Sequence, residues 1–556
     1  MLHNNKLFDF YNSSPMREGI LCWYPFGAGA SVLDLSGGAL TELLRRQCGR
    51  VVSGSDADGN EAFDYAVVLD PEDFSVDALG RLKNRLNPRG RLLLAYENPF
   101  ALRYWSGKSS PVTGLPYDSL FGNDGRVGAA ELRIRLKLAG FEGQKWYYPL
   151  ADHWFTHEVY SESFLPDEYM NQRFIPYIAD DFALQFDERG LYREVIRGGA
   201  FEFMCGAYLV EARTCVSDAP CVVDYAAVTA LREPAKRFAT TVRNDGKVLK
   251  TPLHPAGKKS IGNILRNNEE LARLGVDIVP VKLENESLSM PRINLPTLLD
   301  YWAKKLTAGS FDESEMFDQF DRIREVILKA SKTGKCYWEL VPANCFYDVG
   351  KDELIFFDQE YYWEGVSPDV AVTRAILALI YSPAFNAEPR ARGWLELLKE
   401  RYGLAKRWEE LSDIADVKTR DEVFGDGAYP LAVESGHAAE RAAERKAEYE
   451  ESARRYKRFY PIIGKLNNLG IKRAAIYGFG LRGRTLREVF INGAIEIAAI
   501  FDKKINIKKP MEDLLTETNT DMVIVSILNG GDIAADLRRR TDIPVYTMEE
   551  LLDERA

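Results

Sequence analysis

Nowhere in the 556 residues do about eighteen apolar residues follow one another, so no membrane-spanning helix is expected. The first residues, MLHNNKLFDFYNSSPMREG, also lack a basic stretch leading into an apolar run, so no signal peptide is expected. Cysteine is sparse and unpatterned. Cys22, Cys48, Cys205, Cys215, Cys221, Cys336 and Cys345 are odd in number, with no CxxC spacing and no histidine cluster beside them. This excludes a disulfide framework or a zinc ribbon and predicts reduced thiols in a cytoplasmic protein. Positive charge is not in excess either: the formal net charge is -11. A broad nucleic-acid or anionic-membrane surface is therefore excluded, and the expected partner is a small molecule or a glycan. No repeat of about 20 to 50 residues is visible.

What is present is ordinary globular composition, 46% hydrophobic, 12% aromatic and 28% charged, in a chain too long for one core. From Ser31 to about Val210, β-type runs (SVLDL, GRVVSG, FDYAVVL, GRLLLAYEN) alternate with helix-like stretches such as LTELLRRQ and VDALGRLKNRL, the pattern of a parallel sheet wrapped by helices. A polar break, TCVSDAPCVVD, follows. Then strands come first (KRFATTVRNDGKVLKTPL) and periodic helices later (FDQFDRIREVILKA, DVAVTRAILALIY), the order of an α+β domain. The segment ESGHAAERAAERKAEYEESARRYK reads as a solvated connecting helix, or as a coiled-coil dimer seam around Ala443. The expected fold class is thus α/β multidomain: residues 1–215, 216–430, a helical linker 431–470, and a small doubly wound domain 471–556.

The first run, SVLDLSGGALTELL through LKLAGFEGQKWYYPLADHWFTHEVYSESFLP, resembles a family of bacterial class I methyltransferase domains found with polysaccharide-assembly proteins. The resemblance implies a Rossmann-like sheet and an S-adenosylmethionine site on the turn after the first strand, at Asp34, Ser36, Gly37 and Gly38. That turn is shorter than the family's glycine-rich loop. Ser55, with Asp56 beside it, stands where an acidic residue would end the second strand. Asp56 to Phe63 is too short for a full crossover, so a crossover unit is missing. Tyr96, Glu97 and Asn98 end a strand at the ligand-binding edge. His153 and His157 are spaced as a helical metal pair, against the plainer reading of structural histidines. The domain is either a methyltransferase with an abbreviated site or that fold kept as a scaffold.

In YWELVPANCFYDVGKDELIFFDQEYYWEG, Asn344 stands five residues after Glu339, and Asp358 follows an apolar strand. Phosphoryl transfer uses a base and two magnesium ligands in such an order. The segment resembles the D-L-x-P-x-N and F-x-D-x-E signatures of aminoglycoside- and choline-type kinases. It is similar also to bifunctional methyltransferase-kinases that cap bacterial polysaccharides. The resemblance implies magnesium on Asn344 and Asp358, Mg-ATP as cofactor, Lys250 as the phosphate lysine, and Glu269 or Glu270 as its partner. Glu339 replaces the family's aspartate.

IYGFGLRG places Gly478, Gly480 and Gly483 between an apolar strand and a helix, the setting in which GxGxxG binds a pyrophosphate. Asp502 ends the next strand, positioned to accept ribose hydroxyls. Arg482 and Arg484 suit an anionic ligand: a dinucleotide, nucleotide-sugar or coenzyme A. The expected function is methyltransferase-like, in cell-surface polysaccharide synthesis, with a weakened or lost cofactor site. The alternatives are a nucleotide-sugar-binding adaptor for partner glycosyltransferases and a glycan or small-molecule kinase.

Overall fold

The computed structural model describes residues 15–54, 61–108, 110–113, 117–150, 152–167, 191–385, 388–423, 454, 456–493, 495–502 and 519–552. The chain forms two compact units, Met1–Ala439 and Glu440–Ala556. It is an α/β protein with one large mixed sheet.

The sheet of the first unit has twelve strands: β1 (Ser31–Leu35), β2 (Arg50–Ser53), β3 (Phe63–Leu69), β4 (Leu86–Glu97), β5 (Gly143–Leu150), β6 (Glu158–Ser161), β7 (Ala207–Arg213), β8 (Val223–Val228), β9 (Phe238–Arg243), β10 (Lys247–Pro252), β11 (Lys282–Glu284) and β12 (Ser287–Pro291). They lie in the order β11-β12-β10-β9-β8-β6-β5-β7-β4-β3-β1-β2. The strands β2, β1, β3 and β4 run parallel. From β4 onward each neighbour is antiparallel, beginning with β7, which inserts between β4 and β5. The sheet does not stop at the polar break near residue 215, because β6 pairs with β8.

Alternation along the strands sends successive side chains to opposite faces. On one face Leu92, Leu94 and Tyr96 pack with Leu79 of α2 (Val76–Asn84) and with Leu132 and Leu136 of α3 (Ala129–Leu138). On the other, Leu93 and Ala95 pack with Leu40, Leu43 and Leu44 of α1 (Ala39–Gln47), and this core continues to Val223, Ala226 and Ala239. Two buried charges cross the same join. Lys145 donates at 2.8 Å to the Cys221 and Val223 carbonyls and to Asp224. Glu211, fully buried, accepts from Tyr24, Arg91 and the Cys221 amide.

After β10 comes α4 (Gly257–Arg273), then a helical core built on α5 (Leu298–Thr307), α6 (Glu313–Ala330), α7 (Pro368–Ile380) and α8 (Trp408–Val423). Helix α5 opens on a capping box, Thr297 with Asp300, as the string TLLD dictates. Two small ladders sit among these helices: β13 (Lys335–Cys336) with β16 (Trp363–Glu364), and the hairpin β14 (Cys345–Asp348) with β15 (Glu353–Phe356).

The second unit is a four-stranded parallel sheet ordered β18-β17-β19-β20, from β17 (Arg473–Tyr477), β18 (Glu496–Phe501), β19 (Met522–Val525) and β20 (Val545–Thr547). Its core takes in Ile462, Ile463 and Leu466 of α9 (Pro461–Asn468), a stretch that the sequence assigned to the linker. The dimer seam expected around Ala443 lies outside the described residues.

Candidate functional site

Three places answer to the sequence expectations. The first is the edge where β1, β3 and β4 end. Gly37 and Gly38 both have positive φ, 68° and 63°, and added Cβ atoms there would meet nothing within 4 Å. The turn is open, yet its acid is spent. One Asp34 oxygen accepts from the Ser36 amide at 2.9 Å and the Ser36 hydroxyl at 2.5 Å; the other accepts from Thr41.

Glu97 is surrounded by Lys108 at 3.1 Å and by Arg103 and Arg126 at 3.3 Å. Burial alone would raise its carboxyl, but the charges of Lys108, Arg103 and Arg126 outweigh it and hold the group below the usual carboxylate range. Asn98 is fully buried and donates to the Phe203 and Cys205 carbonyls, both at 2.8 Å. Tyr96 faces the core rather than a substrate, its hydroxyl on the Val127 carbonyl. His153 and His157 lie in the connection between β5 and β6, on no helix; His153 bonds Asp70 at 2.8 Å. Among the described residues no group of three or more His, Cys, Asp or Glu is placed to hold a metal. Ser55 lies outside the described residues. The turn at Gly37 and Gly38 is open to a ligand, whereas the side chains of Asp34, Glu97 and Asn98 are committed to partners within the protein.

The second place joins the strands to the helical core. Lys250 of β10 is buried and contacts Asp358 at 2.6 Å and Glu360. Asp358 has φ 58°, a left-handed backbone that turns its carboxylate toward the lysine. The Phe357 amide donates to the Asn344 carbonyl, which sets Asn344 beside Asp358 at the open end of the β14–β15 hairpin. Lys250 and Asp358 are thus in contact, with the Asn344 backbone beside them and the Asn344 side-chain amide donating to the Glu339 carbonyl at 3.4 Å.

Glu339 is near them but turned to another task. Its carboxylate accepts the Glu360 and Tyr361 amides at 2.6 and 3.0 Å, while Gln359 donates to its carbonyl at 2.9 Å. Burial, and next the Asp358 carboxylate, push its carboxyl up to about 8. It clamps the 358–361 turn. The expected Lys250 partners on α4 are elsewhere: Glu270 pairs with Lys335, and Glu269 faces Arg273. Asn267 of α4 instead reaches the turn, donating at 3.2 Å to the Gln359 and Glu360 carbonyls.

The third place is the glycine turn between β17 and α10 (Leu481–Asn492). The three glycines do three jobs. Gly478 has φ 91° and faces Ile527. An added Cβ at Gly483 would lie 2.1 Å from the Gly478 carbonyl oxygen, so this glycine lets helix pack on strand. Gly480 has an ordinary φ of -68°, and an added Cβ there would meet nothing within 4 Å. It heads α10 with no side-chain cap, leaving the first amides of the helix for a ligand. Asp502 accepts the Phe479 amide at 2.5 Å and so props the turn. Arg482 pairs with Glu549 at 2.6 Å, and Arg484 lies over Phe479.

No known protein family matches the chain, and no curated protein matches it significantly. Its site residues therefore stand on geometry. Sequence reading missed Arg232, Glu360 and Asn267. Glu360 was inside the F-x-D-x-E string itself, and the basic string TALREPAKR between two strands was the signal for Arg232. Asn267 is two residues short of Glu269, and only the phase of α4 points it at the turn.

Proposed function

We propose that this chain is a methyltransferase-like protein of cell-surface polysaccharide biosynthesis whose S-adenosylmethionine site has been given up, and that it works by binding a nucleotide or nucleotide-sugar in its C-terminal unit. The observation that carries this reading is Gly480, open to space at the head of an uncapped twelve-residue helix. The parallel order β2-β1-β3-β4 with the reversed β7 supports descent from a methyltransferase-type sheet short of one crossover. In this role the protein is an adaptor that brings an activated sugar to partner glycosyltransferases. Calorimetric titration of the full chain with S-adenosylmethionine, NAD, a nucleotide-sugar and coenzyme A tests it. One nucleotide should bind and S-adenosylmethionine should not; low-micromolar S-adenosylmethionine binding abolished by Asp34→Ala would overturn the reading.

A second reading, a glycan or small-molecule kinase, is favoured by the 2.6 Å contact of Lys250 with Asp358. Asn344 and Asp358 offer an amide and a carboxylate, hard oxygen donors of the kind that magnesium takes alongside phosphate and water. Mg-ATP should then raise the melting temperature by linkage. No shift at millimolar ATP would leave only the adaptor.

A further inference from the structure

Two cations from different elements converge on one buried carboxylate. Lys250 of β10 pairs with one oxygen of Glu360, and Arg232, in the β8–β9 connection, with the other at 3.1 Å. The Glu360 side chain is 3% exposed, Lys250 5% and Arg232 26%, so Arg232 forms the solvent side of the arrangement. A carboxylate that gives one oxygen to each of two cations occupies the position of two oxygens of a phosphate.

We propose that Arg232 and Lys250 form a binding site for the phosphate groups of a phosphorylated small molecule, and that Glu360 is an internal occupant which the ligand displaces. The proposal rests on the kinase-like reading of Lys250 and is independent of the C-terminal glycine turn.

The loop is built in advance. Thr229 accepts the Phe238 amide at 2.9 Å, and Arg237 donates to the Arg232 carbonyl at 2.7 Å, which fixes the backbone from which Arg232 reaches inward. The occupant can leave without disturbing what holds its backbone. Glu339 grips the Glu360 amide, Asn267 the Gln359 and Glu360 carbonyls, and the Gln359 side chain the Glu339 carbonyl, so the turn is fastened by bonds in which the Glu360 side chain takes no part. Rotation of the Glu360 side chain breaks none of these bonds. A phosphate brings about two negative charges and three acceptor oxygens where the carboxylate brings one charge and two oxygens. Asp358 remains on Lys250 throughout. The charge balance sets the specificity: a neutral sugar has no means of displacing Glu360, while a diphosphate does.

The test is calorimetric titration of the full chain with inorganic pyrophosphate, without magnesium. Glu360→Gln should bind at least about tenfold more tightly than the parent, and adding Arg232→Gln should return the affinity to the parent's level or below. Equal affinity in parent and E360Q, or indifference to Arg232, would overturn the proposal. Should E360Q not fold, Glu360→Asp, whose shorter side chain withdraws from both cations, takes its place. A pyrophosphate response in E360D no stronger than the parent's also overturns it. Pyrophosphate held at the Gly480 turn is unaffected by either substitution, which separates this site from the C-terminal one.

Discussion

Lys145→Met tests whether residues before and after 215 are one folding body. The ammonium sits 2.8 Å from two carbonyls and from the Asp224 carboxylate, and both charged side chains are less than a tenth exposed. Methionine fills nearly the same volume but leaves Asp224 charged and buried. The Val223 carbonyl keeps Tyr147 at 3.0 Å, and Asp224 keeps Ser163 at 2.8 Å. Breaking a buried pair from one side costs ~3–5 kcal/mol, so a loss of about 4 kcal/mol is expected in urea or thermal unfolding followed by tryptophan fluorescence. Lys145→Met with Asp224→Leu removes the stranded charge and should recover at least about half of that loss, the remainder being the Cys221 carbonyl left without its donor. Truncation after residue 215 strands Lys145, takes the Cys221 amide from Glu211 and bares the β6 edge that β8 covers, and should give insoluble protein. A loss below about 1 kcal/mol in K145M, a double variant no better than the single, or a soluble and cooperatively folding 1–215 fragment would refute the reasoning.

In the C-terminal unit, Gly480→Val should keep the parent's circular dichroism and lose nucleotide affinity, whereas Gly483→Ala, pressed on the Gly478 carbonyl, should lower stability by several kcal/mol on the scale of core overpacking, roughly 1–3 kcal/mol or more; the reverse pattern in melting curves would exchange their roles. Glu339 binds a proton more tightly folded than unfolded, so its contribution to stability falls as pH rises from the ordinary carboxyl range toward about 8. Glu339→Gln, which still accepts both amides, should flatten that slope in denaturation series between pH 5 and 8, and an unchanged slope would place the proton elsewhere. Asp34→Ala removes three hydrogen bonds from the Ser36–Thr41 turn and should cost about 2–3 kcal/mol by melting, while leaving any nucleotide binding intact.

Much of the local structure was legible in the chain. The β runs SVLDL, FDYAVVL and KVLKTPL, the helices FDQFDRIREVILKA and DVAVTRAILALIY, and the GxGxxG turn all occur where periodicity and turn residues put them, because each is decided by neighbours within a few positions. So is the short link between β2 and β3, which follows from counting residues. What the chain alone does not reveal is how side chains far apart in sequence are spent. Asp34, Glu97 and Asn98 have the residue types of a ligand edge, yet their hydrogen bonds go to Thr41, Arg126 and the Cys205 carbonyl. Glu339 has the spacing of a base, yet burial and the Glu360 and Tyr361 amides make it a clamp. The polar string near residue 215 reads as a domain boundary because its composition is that of a loop. Tertiary structure decides otherwise, since β6 and β8 satisfy one another's backbone groups, Lys145 finds across that loop the Asp224 carboxylate that offsets its burial, and Glu211 takes the Cys221 amide from beyond it.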